Sequence, residues 1–176
     1  RELQEGPPED TDATEQTLVK PSWGCRLAGF CLNKDKLIVG GKLHVERQGW
    51  DGAANIDEFT GGKIAYVDLS SPVNLGGPFD WVMSLEVGEH IPQSGEKNFV
   101  DNLVKHACVG VVLSWAVLGQ GGHAHVNCRS NDHVRKEMLS RGLVTDKEAE
   151  ENLRALVEVS YFKNTLMVFK YPKKRC

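Results

Sequence analysis

The chain has 176 residues, with 21 Lys and Arg against 24 Asp and Glu, for a formal net charge of -3. That length fits one domain, which buries roughly two thirds of the surface its unfolded form exposes. The slight acidity excludes the broad basic field on which nonspecific nucleic-acid binding depends, and no run approaches the ~18 consecutive apolar residues of a membrane-spanning helix.

Residues 1–16 carry Glu2, Glu5, Glu9, Asp10, Asp12 and Glu15, with two prolines and almost no apolar side chain. Burial cannot offset the entropy of ordering such a stretch, so it reads as a disordered acidic leader ahead of a domain over 17–176. The first eight residues lack a signal peptide's apolar core, which makes a cytoplasmic location the expectation. Five cysteines, Cys25, Cys31, Cys108, Cys128 and Cys176, are odd in number and lack a C-x-x-C pair, which favours a reduced compartment.

Thr17-Leu-Val-Lys20 is a short strand candidate stopped by Pro21, and Asn33-Lys-Asp-Lys36 with Gly40-Gly41 breaks any periodic pattern after it. The domain is therefore poorly marked before about residue 42, and an unrelated segment joined to a sound remainder is one reading of it. Strands are predicted over 42–46, where Leu43 and Val45 face one way, and over 63–67, just ahead of Asp68. Two more, over 79–85 and 110–116, are nearly continuous in apolar character, as central strands of a covered parallel sheet are. Between them, Phe99, Val100, Leu103, Val104 and Ala107 recur at helical spacing and predict a crossover helix over 96–107.

Asn131 is placed to cap a helix carrying Val134 and Met138 that Gly142 closes, and Thr145-x-x-Glu148 reads as a capping box for the next helix. Residues 164–170 supply a last strand. Strands alternating with helices predict an α/β fold, a layered sheet of doubly wound type.

The most informative stretch is Phe79-Asp-Trp-Val-Met-Ser-Leu-Glu-Val-Gly-Glu-His-Ile-Pro92, in which a buried strand runs straight into Glu86, Glu89 and His90. Ligands of open α/β sheets bind where strands end and polar side chains converge. With its ordered strand-end acids, the chain resembles the class I S-adenosylmethionine-dependent methyltransferases, in particular members with a Leu-Glu-Val-x-Glu-His-Ile-Pro signature, over about residues 43–170. The resemblance implies a Rossmann-like three-layer sandwich with a mostly parallel central sheet and an antiparallel last strand, and S-adenosylmethionine as cofactor. It assigns Asp51 with Gly52 to the ribose hydroxyls, Asp68 and Leu69 to the adenine, and Gly24, Glu86 and Val87 to the methionine end.

The family's glycine-rich cofactor loop is degenerate here. In Trp23-Gly-Cys-Arg-Leu-Ala-Gly29, Arg26 and Ala28 stand where glycines are expected if Gly24 opens the loop. A catalytically inactive methyltransferase-like interaction module is therefore the alternative to an active enzyme. Gly119-Gln-Gly-Gly-His-Ala-His-Val-Asn127 follows the fifth strand and suits a lid over substrate, with His90 and His123 as proton acceptors.

Glu86-x-x-Glu89-His90 also resembles the metal-binding run of small-RNA 3'-terminal methyltransferases, with His123 or His125 as a further donor. The reading adopted assigns no metal: Glu89 caps a helix start or pairs locally, and His90 lines the pocket. The implied partner is a small-molecule or macromolecular methyl acceptor at oxygen or nitrogen. Neither a membrane nor nucleic acid is expected, and the sequence leaves the acceptor and the oligomeric state open.

Overall fold

A computed structural model describes residues 30–39 and 42–176, with side chains from Gln48 onward. The acidic leader, the 17–20 strand and Gly24 with its loop lie outside the described residues. The elements in chain order are β1 (Phe30–Val39), β2 (Lys42–Asp51), α1 (Ile56–Phe59), β3 (Ala65–Tyr66), β4 (Phe79–Ser84), α2 (Glu96–His106) and β5 (Ala107–Leu113). They continue through α3 (Asn131–Ser140), β6 (Val144–Thr145), α4 (Lys147–Leu156), α5 (Phe162–Thr165) and β7 (Met167–Lys170).

The strands form one sheet in the order β3-β2-β1-β4-β5-β7-β6. β2 pairs parallel with β3 and β4 parallel with β5, while β1 lies antiparallel to both β2 and β4. β7 runs antiparallel to β5 and β6. Five of the described strands, β2 to β6, therefore point one way, with β1 and β7 reversed: the mostly parallel α/β sheet with an antiparallel last strand that the resemblance implies. The direction of β1 is an addition, because the sequence marks no strand across Asn33-Lys-Asp-Lys36. One consequence for the site follows: the carboxyl ends of β2, β3, β4 and β5 all reach the same edge of the sheet.

The core forms where α2 lies on the sheet. Its Phe99, Val100, Leu103 and Val104 are buried against Phe79, Val82 and Val111 of β4 and β5. Each fully buried large side chain contributes roughly 1.5–3 kcal/mol. Trp115, just past β5, packs edge to face on Phe99 with ring centroids 5.4 Å apart.

Polar side chains of α2 fasten the segment after β3. Asn102, buried, donates through Nδ2 to the carbonyls of Leu69 and Ser71 at 3.1 and 2.8 Å, and its Oδ1 accepts the Val73 N–H at 3.1 Å. His106 accepts the Leu75 N–H at Nε2 while its Nδ1–H donates to the Asn102 carbonyl. Leu69 is thereby held beside the site. Asn102→Ala is expected to lower stability by about 2 kcal/mol, because three backbone groups lose a buried partner. Thermal melts check it as a fall of about 4–8 °C, and a change within a degree would sink this account of the loop.

Local chemistry corrects several sequence expectations. The strand predicted over 63–67 pairs only at Ala65–Tyr66, and the one predicted over 110–116 begins earlier, at Ala107. In α3 the cap is Ser130, whose side chain accepts the His133 N–H, so Asn131 is already the first helical residue; Gly142, at φ 88°, follows as expected. In α4, Asp146 accepts the Ala149 N–H in place of the Thr145 capping box. The last strand starts at Met167 because Phe162–Thr165 forms a helical turn.

Cys108 and Cys176 are joined in a disulfide with Cα atoms 5.5 Å apart, a bond that oxidising compartments preserve, against the reduced state read from cysteine spacing. Among the described residues no helix is long and apolar enough to cross a membrane.

Candidate functional site

β4 is apolar from Trp81 to Met83, and the chain turns sharply directly after Ser84. Glu86 adopts φ 53°, a left-handed conformation that costs a non-glycine residue energy and clusters at functional sites. Two contacts with the loop beyond β5 hold it there. The Ser114 hydroxyl accepts the Glu86 N–H at 2.9 Å, and Gln120 Nε2 donates to Glu86 Oε2 at 2.6 Å. Gly88–His90 then form a single 3-10 turn that carries Glu89 inward, fully buried, and His90 toward the cavity.

A cavity of about 320 Å³ opens at the edge where the strands end. Asp51, Gly52 and Ala53 line it from the end of β2, and Val67, Asp68, Leu69 and Ser70 from beyond β3. Glu86 and Val87 line it from beyond β4, followed by His90, Ile91 and Pro92, and His123 and Ala124 close it from the loop after β5. All eight described candidates from the sequence, Asp51, Gly52, Asp68, Leu69, Glu86, Val87, His90 and His123, thus line this one cavity. Gly24 lies outside the described residues.

The two outer acids differ. Asp51 is half-buried, and its Oδ1 accepts the Ala53 N–H at 2.8 Å, which folds the chain back past Gly52. Asp68 is exposed, and its carboxylate is engaged by the Ser70 hydroxyl at 2.6 Å, the Ser70 N–H at 2.9 Å and the Ser71 hydroxyl. These bonds, led by the Ser70 hydroxyl, hold its pKa below the usual carboxylate value.

The segment 117–127 is tied down at several points. Beyond the Gln120 contact, the Val126 and Asn127 N–H groups both donate to the Glu89 carbonyl at 2.9 Å. His90 Nδ1–H donates to the Ala124 carbonyl at 3.1 Å. The lid expected from its glycines is therefore a fastened wall. Cys128, beside His125, has its thiol pushed up by burial and then by the Glu89 and Glu86 charges, which leaves it without an activated thiolate.

Beneath this wall Glu96, at the start of α2, accepts from Asn127 Nδ2 at 2.9 Å, Arg129 Nε at 2.7 Å and His133 Nε2 at 2.5 Å. Burial pushes its carboxyl up, but the bonds from His133, Asn127 and Arg129 and the Arg129 charge outweigh that and hold its pKa below the ordinary value. Trp115 Nε1 donates to the Asn127 carbonyl at 2.7 Å, pinning the same segment from the core.

Sequence reasoning missed Ser114, Gln120 and Glu96. Ser114 sat inside a predicted strand and Gln120 among glycines. Glu96 read as an ordinary helix start, and its partners are 31 to 37 positions away.

No protein-family model matches the chain, and no curated protein does. Among solved structures it is similar to magnesium protoporphyrin IX methyltransferase from Synechocystis PCC 6803 with bound SAM, at 18% identity over 70% of this chain and 58% of that one, with a TM-score of 0.44. It is also similar to the citrinin polyketide synthase CMeT domain, at 9% identity over 71% and 38% of the two chains, with a TM-score of 0.46. The [4+2]-cyclase SpnF matches at 11% identity over 69% and 62%, with a TM-score of 0.39. The chain spans less than two thirds of the length of each.

Proposed function

We propose that this protein binds S-adenosylmethionine in the strand-end cavity and transfers its methyl group to an oxygen or nitrogen acceptor. The observation that carries the reading is the convergence of the eight residues singled out in the sequence, from three strand ends and the loop after β5, on one cavity. The lining fits such a cofactor in its chemistry, with carboxylates spaced around an otherwise largely apolar wall that includes Leu69, Val87 and Ile91. When bound, the cofactor supplies a methyl group on a positively charged sulfur.

In this reading Asp51 accepts hydrogen bonds from the two ribose hydroxyls, with Gly52 leaving room beside it. Leu69 covers the adenine face and Asp68 meets the adenine amino group. Glu86, Val87 and Gly24 hold the methionine end, and the buried Glu86 carboxylate favours its positive charge. His90 or His123 takes the acceptor's proton, and the chain's main contribution to rate is orientation.

Titration calorimetry with S-adenosylmethionine and S-adenosylhomocysteine tests the reading. Binding near micromolar Kd is expected, weakened about 10-fold to 100-fold in Asp51→Ala by the loss of charge-assisted hydrogen bonds. Absence of heat from a sample that melts cooperatively would reject methyl transfer and favour a non-catalytic interaction module.

A further inference from the structure

We infer that Gln120 and Ser114, on the chain beyond β5, are positioning residues that set the Glu86 carboxylate for a ligand's ammonium group and give the cavity its preference for an amino-acid end. The inference rests on the S-adenosylmethionine reading above and adds to it the residues through which Glu86 acts. Glu86 is 6% exposed and lines the cavity. Its Oε2 accepts a hydrogen bond from Gln120, a neutral amide, and among the described residues its buried Oε1 has no partner. A buried carboxylate oxygen without a donor costs free energy, and a cationic N–H donor brought to it recovers that energy.

Two grips from beyond β5 fix where that oxygen points. Ser114, fully buried, donates its N–H to the Ser84 carbonyl at 2.9 Å and accepts the Glu86 N–H on its hydroxyl at 2.9 Å, so it holds the turn on both sides of Leu85. Glu86 is thereby kept at φ 53°, a conformation that a non-glycine residue holds only under constraint. The Gln120 amide is oriented by its own segment. The Val117 N–H reaches its Oε1 at 3.4 Å, which leaves Nε2 for Glu86 at 2.6 Å, and the Gln120 N–H closes the turn on the Val117 carbonyl at 3.0 Å. The amide cannot turn end for end without losing both side-chain contacts, so Oε2 is held and Oε1 is left for the ligand.

The group that suits this oxygen is a primary ammonium. A charge-assisted hydrogen bond in a site from which water is largely excluded is stronger than the same bond in water. An amino-acid end therefore gains at Glu86 what a ligand without one does not. Loss of the Gln120 donor frees the carboxylate to swing, so it meets the ammonium less well, while the contacts proposed for Asp51 and Leu69 with the nucleoside stay as they are.

Calorimetry in chelator-containing buffer compares S-adenosylhomocysteine with 5′-methylthioadenosine, which has the same nucleoside and a thioether but no amino-acid end. Wild type is expected to bind the former at least about 10-fold more tightly. Gln120→Met, which keeps the shape and removes the donor, should weaken S-adenosylhomocysteine about 10-fold and methylthioadenosine less than about twofold. In Glu86→Gln the further change Gln120→Met should have no effect, because Gln120 acts through Glu86. Cooperative melting shows that each variant is folded, and Gln120→Asn, its amide drawn back by one methylene, replaces Gln120→Met if that variant does not fold. No loss, equal losses for the two ligands, or a full loss that persists in the Glu86→Gln background overturns the inference and leaves cofactor binding standing. Binding of neither ligand by the folded wild type removes the methyl-transfer reading and this inference with it.

Discussion

Glu96→Ala is expected to lower stability by about 3 kcal/mol, because it strands charge and hydrogen-bond donors that only this carboxylate gathers. The Glu96 side chain is 11% exposed, and Arg129, at 23%, meets it with both Nε and Nη2 at 2.7 Å. Removing an exposed ion pair would cost under ~1 kcal/mol, so burial decides the size of the effect. The sign of its pH dependence follows from the lowered pKa. Between the folded value and the ordinary 4.5, the unfolded chain binds the proton that the folded chain refuses. This contribution is complete above that window and is lost as pH falls through the folded pKa.

Urea unfolding of wild type and Glu96→Gln at a series of pH values from neutral to acid isolates it from the other carboxylates. The difference between the two proteins should shrink as pH falls, and a gap independent of pH would reject the charge argument. Since Asn127 belongs to the segment that walls the cavity through His123 and Ala124, cofactor binding should weaken in step with stability.

What the sequence revealed follows the range of the interactions that decide each feature. β4 was legible as a nearly continuous apolar run, and α2 because its apolar residues recur at the period of a helix, a local signal that packing reinforces. Glu86 was legible because a carboxylate straight after an apolar run has to leave the sheet, whereas Asp51 and Asp68 were assigned through the family resemblance. The caps of α3 and α4 were not, since Ser130 and Asn131, or Thr145 and Asp146, are comparable capping residues in neighbouring positions, and backbone geometry chooses between them.

Contacts across long separations left no trace in the sequence pattern. Gln120 reaches Glu86 across 34 positions, and Cys108 joins Cys176 across 68. β1 was invisible for another reason: its Asn33-Lys-Asp-Lys36 carries no apolar alternation, and the register with β2 shifts between Leu32 and Lys36.

Gly88→Ala should cost about 3 kcal/mol and disable the proposed cofactor binding. A methyl group at position 88 would land on the Trp115 ring, against Cδ2, Cε2 and Cε3. That ring has no room to yield. It is 1% exposed, stacked edge to face on Phe99 and anchored through Nε1 to the Asn127 carbonyl. Overpacking in such a place usually costs about 1–3 kcal/mol, and the upper end applies where every neighbour is itself fixed. The strain then falls on the turn Gly88–His90, which sets the directions of Glu89 and His90.

A fall of roughly 6–12 °C in Tm follows for a domain of this size. Combining Gly88→Ala with Trp115→Leu separates packing from backbone preference. Leucine at 115 is itself expected to destabilise by a few kcal/mol, yet it opens space at the clash, so the double variant should be more stable than the sum of the two losses by about 1–2 kcal/mol. Strict additivity would mean that the turn, not the tryptophan, rejects the methyl group, and the close approach of Gly88 to Trp115 would lose its role in holding the site.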